Sequence, residues 1–276
     1  NEDGSGTFFD KAEALPKTFE TVSRSEDDLA ALLYTSGTTG RSKGAMLTQA
    51  NLLSNARTMM SEWQFTSQDV LLHALPIFHT HGLFVASNIT LLAGGRMIFL
   101  SKFNLDQAIA HLPNSTAMMG VPTFYMRLMG DARFNRDLVD HIRLFVSGSA
   151  PLLAETHLQF EKQTGHRILE RYGMTETNMN TSNPYLGERR AGTVGFPLPG
   201  VEIKITDSDS GKTLREGEIG EIEVRGPNVF KGYWRMAEKT AEELRENGFF
   251  ITGDLGQFDE EGYLKVVGRN KDLIIS

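Results

Sequence analysis

A run of hydroxyls and glycines around one lysine, Tyr34-Thr-Ser-Gly-Thr-Thr-Gly-Arg-Ser-Lys43-Gly-Ala45, points more directly to a chemistry than any other part of the 276-residue sequence. Thr35, Ser36, Thr38 and Thr39 offer hydroxyl and backbone N–H donors, Gly37 and Gly40 permit close backbone approach, and Lys43 adds a positive charge. Polyphosphate oxygens suit such a loop. The spacing is not that of a Walker A loop, because two residues separate Gly37 from Gly40 and Lys43 is followed by Gly44 rather than by a hydroxyl. A flexible Ser/Thr/Gly linker is the alternative if the loop is taken alone. Its surroundings favour a binding turn: residues 29–34 read as a buried strand, and Leu52, Leu53, Ala56, Met59, Met60 and Trp63 recur at helical spacing over residues 50–63.

Further segments follow in a fixed order: Pro76-Ile-Phe-His79, Ser147-Gly-Ser-Ala-Pro151, Tyr172-Gly-Met-Thr-Glu176, Thr252-Gly-Asp254 and Gly268-Arg-Asn-Lys-Asp272. With the Thr-rich loop, this series resembles the signatures of the acyl-adenylate-forming superfamily, which includes acyl-CoA synthetases, luciferases and peptide-synthetase adenylation domains. Thr177-Asn-Met-Asn-Thr-Ser-Asn-Pro184 and Gly187-Glu-Arg-Arg-Ala-Gly-Thr-Val-Gly195 are most similar to malonyl-CoA synthetases. The resemblance implies a substrate carboxylate attacking the α-phosphate of ATP, with Mg²⁺, followed by transfer of the acyl group to the thiol of coenzyme A.

The resemblance also implies roles for particular residues. Glu176 is expected to be the Mg²⁺ ligand, with Thr175 on the phosphates and His79 beside the acyl and phosphate sites. Thr35 to Gly40 and Lys43 would hold phosphate, Ser149 and Ala150 would line the adenine side, and Tyr172, Gly173 and Met174 would form the central nucleotide motif. Asp254 would accept from both ribose hydroxyls, with Arg269 helping, and Lys271 would be a hinge. A malonate carries a second carboxylate that needs a cationic, preferably bidentate partner. Arg127 is the first candidate, Arg190 and Arg189 the runners-up, with Ser149 adding a hydroxyl and Met174 and Met179 narrowing the pocket. A His-x-His zinc site at His79 and His81 lacks a third ligand nearby, which leaves His81 a structural neighbour.

Composition bounds these readings. The net charge of −7, from 28 basic and 35 acidic residues, argues against nucleic acid or an anionic membrane as partner. With no cysteine there is no disulfide framework, thiolate nucleophile or Cys-based zinc site, and no apolar run reaches the roughly 20 residues that span a bilayer. A cytoplasmic location is the default for such a chain, and no membrane insertion is expected.

Strand-like and helical runs alternate over residues 28–186, the pattern of a layered α/β sheet carrying the phosphate loop. Past Gly187 the pattern becomes short period-two strands with turns at residues 207–211 and 259–262, so residues 187–268 read as a small β-barrel-like or curved-sheet unit, interrupted by one helix at 236–246. Residues 1–27 read as a linker and 269–276 as the hinge. The family comparison implies an enzyme of which this chain is the central piece, with a catalytic lysine on a further domain and little activity in the piece alone. The rival readings are a short- or medium-chain monocarboxylate CoA ligase and, for the isolated piece, a nucleotide-binding module without activity.

Overall fold

The computed structural model describes residues 6–35 and 42–270. A short helix α1 (Thr7–Glu13) precedes a two-stranded antiparallel ribbon, β1 (Leu29–Thr35) with β2 (Lys43–Thr48), and then α2 (Gln49–Glu62). Strand β3 (Val70–His73) leads into a π-helical segment (His81–Ser87) continuous with α3 (Asn88–Leu92). There follow β4 (Arg96–Phe99), α4 (Leu105–His111), β5 (Ala117–Gly120), α5 (Pro122–Met129), α6 (Arg136–Val139), β6 (Leu144–Ser147), α7 (Ala154–Thr164), β7 (Leu169–Met174), β8 (Asn178–Ser182) and β9 (Phe196–Pro197). The last part holds β10 (Glu202–Thr206), β11 (Gly220–Arg225), α8 (Ala237–Glu243), β12 (Phe250–Phe258) and β13 (Leu264–Arg269).

The larger sheet has the order β4-β3-β5-β6-β7-β8-β9. Its first five strands are parallel, and β8 and β9 run antiparallel to their neighbours. Period-two alternation sends successive apolar side chains to opposite faces, so each face carries its own core. Leu71, Met119, Leu144, Val146 and Leu169 pack with Met59, Trp63, Val85 and Ile89 on one face. Leu72, Met118, Phe145 and Ile168 pack with Ile109, Tyr125, Leu128, Phe134 and Phe160 on the other. The small β unit expected after Gly187 is a separate four-stranded antiparallel sheet, β10-β11-β12-β13, open rather than closed among the described residues.

Three local expectations change. The first strand is half-exposed, not buried: a two-stranded ribbon has one covered face, so Ala31 and Leu33 pack toward Phe230, Tyr233 and Phe250 while Leu29, Leu32 and Tyr34 face outward. The helix does not follow the Thr-rich loop directly, because β2 returns first and pairs Lys43 with Thr35. Asp254 lies inside the nine-residue β12 rather than at a strand end, and β12 bulges against β11 between Glu221 and Glu223.

The amino ends of the parallel strands are tied by one ion pair. Buried Asp69, just before β3, accepts from Arg143 Nε at 2.6 Å and Nη2 at 2.9 Å, from Thr116 Oγ1 at 2.7 Å and from the Thr66 backbone at 2.8 Å. Arg143, just before β6, also donates to the Trp63 carbonyl at 2.9 Å and lies over the Phe65 ring. Burial alone would raise the Asp69 pKa, but the Arg143 and Thr116 hydrogen bonds outweigh it and the carboxyl is held below its ordinary 3.8. A folded-state pKa below the unfolded one contributes stability above the unfolded value that is lost as pH falls through the folded pKa. Asp69→Ala strands the Arg143 guanidinium and should cost about 3–5 kcal/mol in urea unfolding at neutral pH. It should also flatten the loss of stability below pH 3.8, and a cost under about 1 kcal/mol would remove this clamp from the account.

Candidate active site

The carboxyl ends of the parallel strands face the small sheet and the ribbon, and the motif residues gather there, as ligand sites do in open α/β sheets. Strand β7 is the pivot, parallel to β6 on one side and antiparallel to β8 on the other. Its register shifts between Tyr172 and Gly173, and a Cβ built on Gly173 would stand 1.8 Å from the Asn178 carbonyl oxygen. Only glycine allows β8 to approach so closely. Tyr172 donates its hydroxyl to Asp254 Oδ2 at 2.6 Å, and Arg269 Nε lies 2.8 Å from Asp254 Oδ1. Burial pushes the Asp254 pKa above its ordinary value despite both partners. The pair of carboxylate oxygens on β12 is thus fixed beside the Tyr172 ring, an arrangement that can accept from two vicinal hydroxyls.

A second group links three elements. The Tyr233 hydroxyl lies 2.9 Å from Glu176 Oε1 and 2.6 Å from Glu243 Oε2, so one phenolic proton serves two carboxylates. Lys43 Nζ lies 3.1 Å from that hydroxyl and 3.1 Å from both oxygens of Glu243, which Lys239 also contacts from the preceding turn of α8. Burial raises the Glu176 pKa, with Tyr233 and Lys43 opposing it. At Glu243 burial also raises the pKa, but hydrogen bonds from Tyr233, Lys239 and Lys43 bring it below the ordinary value. Lys43, expected as a phosphate cation, is therefore already compensated by a carboxylate when no phosphate is bound. Among the described residues no three His, Asp or Glu side chains converge into a metal cage. A Mg²⁺ carried mainly by phosphate oxygens needs only one protein carboxylate, and buried Glu176, with Lys43 at hand, fits that donor set.

The third group lies on the opposite face of β7 from Tyr172. His81 opens the π-helical segment, is 1 % exposed, and places Nδ1 3.1 Å from Ser149 Oγ, while its Nε2 has no partner. Ser149 itself sits at φ 66°, a strained position for a residue with a side chain. His79 is exposed at the cleft, and its Nδ1 accepts from the His81 backbone at 3.1 Å. Beneath them lies Arg171, 3 % exposed, with no ion pair and with Nε and Nη2 unpartnered. A Cβ on Gly148 would stand 2.3 Å from Arg171 Cζ, so the guanidinium occupies the space that the glycine leaves. Burial lowers the Arg171 pKa to about 9, and burial followed by the Arg171 charge keeps His81 neutral well below its usual range.

Other expectations resolve unevenly. Ser36, Gly37, Thr38, Thr39, Gly40 and Lys271 lie outside the described residues. Thr35 closes the ribbon opposite Lys43, Thr175 and Met174 are half-buried beside Glu176, and Ala150 is exposed next to Ser149. Met179 is in the core, 1 % exposed, so it shapes the sheet rather than lining open space. Arg190 is not brought to the site: Asp259, Glu261 and Glu188 satisfy its guanidinium, which lies over Tyr263. Arg189 donates to the backbone carbonyls of Pro184, Arg167 and Tyr185. Arg127 points outward from α5 with its guanidinium 5.0 Å from the Phe103 ring centroid, so it is not the buried cation expected of it. Arg171, Tyr233, Glu243 and the buried role of His81 were missed. Arg171 did carry a signal, since Leu169 and Arg171 share a strand face and an arginine at a core-facing position demands an explanation.

Comparison with known proteins establishes the family. The AMP-binding enzyme family matches residues 3–234. The chain is 41% identical over 273 residues to a malonate–CoA ligase of Arabidopsis thaliana, covering 92% of this chain and 44% of that enzyme. It is 37% identical over 259 residues to a long-chain-fatty-acid–CoA ligase of Bacillus subtilis, covering 91% of this chain and 46% of that enzyme. Among solved structures, an ATP-bound MatB from Rhodopseudomonas palustris superposes with a TM-score of 0.96 at 60% identity, covering 99% of this chain and 54% of that one. The chain thus spans about half the length of the relatives it matches. With the family's motifs gathered at one set of strand ends and its profile matched over most of the sequence, the chain belongs to the AMP-binding enzyme family.

Proposed function

We propose that the full-length protein is an ATP-dependent acid–thiol ligase that converts malonate, and methylmalonate as a close analogue, to the CoA thioester through an acyl-adenylate. The observation that carries this reading is the convergence of the Tyr172–Asp254–Arg269 group, the Glu176–Tyr233–Lys43 group and the Ser149–His81 pair at the same strand ends. Likeness to a plant enzyme named malonate–CoA ligase supports the substrate, and likeness to an ATP-bound structure supports the nucleotide. The likeness to a long-chain ligase means that the choice of acid rests on the pocket and not on family membership.

In this reading Asp254 accepts from the ribose hydroxyls and the Tyr172 ring lies against the adenine. Thr175, the Thr-rich loop and Lys43 hold the phosphates, with Lys43 exchanging Glu243 for phosphate oxygens. Glu176 holds Mg²⁺, whose charge neutralises the phosphates during displacement. The substrate carboxylate attacks the α-phosphorus, pyrophosphate leaves, and the thiol of coenzyme A then displaces AMP from the acyl carbon. Both displacements are accelerated by positioning and charge neutralisation. The α/β unit, the small sheet and a hinge at Lys271 are the proposed parts of a larger enzyme in which a further domain supplies a catalytic lysine.

Incubating the full-length protein with MgATP, coenzyme A and malonate, methylmalonate, acetate or octanoate in parallel, and weighing the thioesters, should give malonyl-CoA as the dominant product. Thioesters of monocarboxylates alone would overturn the choice of acid. Glu176→Gln should lower kcat by roughly 100–1000-fold, because the carboxylate that would hold the cation against the developing phosphate charge is lost. The ionised form of Glu176 is the metal ligand and burial raises its pKa, so lowering the pH toward that raised value protonates it and weakens Mg²⁺. Below the raised pKa the Mg²⁺ concentration for half-maximal rate should climb about tenfold per pH unit, a dependence absent in the Gln variant. A pH-independent Mg²⁺ requirement would take Glu176 out of the metal site.

A further inference from the structure

The last turn of α8 holds a carboxylate where helix stability does not explain it. Glu243 is the final residue of α8, where the partial negative charge of the helix end disfavours an acidic side chain. Lys239 precedes it by four residues, the less favourable order for such a pair. The carboxylate is nevertheless firmly placed. The Tyr233 backbone N–H donates to Thr240 Oγ1 at 2.9 Å within the helix, and Arg245, just past it, donates to both Glu223 oxygens on β11 at 2.9 and 2.7 Å.

Donors reach Glu243 from β2, from α8 and from the segment before α8. Lys43 Nζ lies 3.1 Å from both carboxylate oxygens, the Tyr233 hydroxyl donates to Oε2 at 2.6 Å, and Lys239 Nζ lies 2.9 Å from Oε1. The Lys43 side chain is 12 % exposed and that of Glu243 21 %, so solvent screens this pair less than it screens a surface ion pair. The donors are redundant. If Lys43 moves away, Glu243 keeps Lys239 and the Tyr233 hydroxyl and is not left as a charge without a partner. Lys43 is the member free to go: it opens β2 directly after the Thr-rich loop, whereas Tyr233 is also tied to Glu176 and Lys239 to Glu242.

We propose that Glu243 is a parking counterion for Lys43: Lys43 leaves it for polyphosphate and returns as the phosphate departs, while Lys239 and Tyr233 hold Glu243 in the interval. This rests on the ligase reading above in one respect, that polyphosphate is the ligand of Lys43. Glu243 and Lys239 touch no substrate. They are positioning residues that act through Lys43, and they set polyphosphate affinity in opposite senses. Glu243 weakens it, because the ammonium must be drawn from a carboxylate, and so favours release of pyrophosphate. Lys239 strengthens it, because it covers the carboxylate that Lys43 leaves behind.

The test measures binding of inorganic pyrophosphate to the full-length protein by titration calorimetry in EDTA, without acid or coenzyme A. The proteins are wild type, Glu243→Gln, Lys239→Gln, the two combined, and Lys43→Met alone and with each. Lys43→Met should weaken binding, Glu243→Gln should lower Kd by about five- to tenfold, and Lys239→Gln should raise it by about two- to fivefold. A general effect of net charge on a polyanion would give the same signs, so the couplings decide. Glu243→Gln should change Kd by less than about twofold once Lys43 is Met, and so should Lys239→Gln once Glu243 is Gln or Lys43 is Met. Lys239 is part-exposed, so its variant with Lys43→Met carries the test if Glu243→Gln fails to fold. Undiminished effects in those backgrounds, or shifts of both single variants in one direction, would overturn the device. Pyrophosphate binding with these couplings but no thioester from any acid would overturn the ligase reading and leave the device standing. Malonyl-CoA formation by a protein whose pyrophosphate affinity is untouched by Lys43→Met would do the reverse.

Discussion

The ion pair between Arg143 and Asp69, at the amino ends of the parallel strands, is the interaction on which the rest of the sheet depends. Two arginines, a part-buried one and a buried one, mark the two ends of the same parallel sheet. Arg143, at the amino ends of the strands, is saturated by Asp69, the Trp63 carbonyl and the Phe65 ring. Arg171, at the carboxyl ends, is left open beside His81. A fully satisfied ion pair knits the strands together. An unpaired buried charge opposes folding, so the satisfied end carries the stability of the sheet.

The surrounding architecture follows from keeping β7 open on its functional side. A parallel neighbour on one side and an antiparallel neighbour on the other let Tyr172 and Arg171 address different compartments from adjacent positions. Gly173 and Gly148 are the two places where the absence of a Cβ makes this possible, one against the Asn178 carbonyl and the other against the Arg171 head. The small sheet contributes Asp254 and Arg269, and Tyr233 and Glu243 come from the segment that crosses between β11 and β12. Against an overall charge of −7, Lys43 and Arg269 place cations within this cleft. Lys43 is paired with Glu243.

Much of this was legible in the sequence, and the reasons for the remainder are physical. The alternation of apolar runs marks most of the parallel strands and their helices, because strands buried on both faces read as short continuous apolar stretches, while α6 and the second half of β7 carry no such run. Strand β2 was hidden because Lys43-Gly-Ala-Met-Leu-Thr48 looks like the tail of a Gly-rich loop, and only its pairing with β1 makes it a strand. Strand β8 was hidden because Asn178-Met-Asn-Thr-Ser182 is polar, yet all five residues are buried between neighbours. The resemblance to the acyl-adenylate-forming family implied that Tyr172, Glu176 and Asp254 come together, whereas Arg127 and Arg190 differ from Arg171 in depth. Depth depends on which strand face meets the π-helical segment and on which carboxylates lie within reach. One arginine stacks on Phe103, another is claimed by Asp259 and Glu261, and the third is left free.

The most direct test of the central claim is a crystal structure of the full-length protein with malonate and a non-hydrolysable ATP analogue. The account predicts the ribose hydroxyls on Asp254, the adenine against the Tyr172 ring, and phosphate oxygens on Lys43 in place of Glu243. A nucleotide bound away from Tyr172, with Asp254 still closed on Arg269 and Lys43 still paired with Glu243, would contradict it.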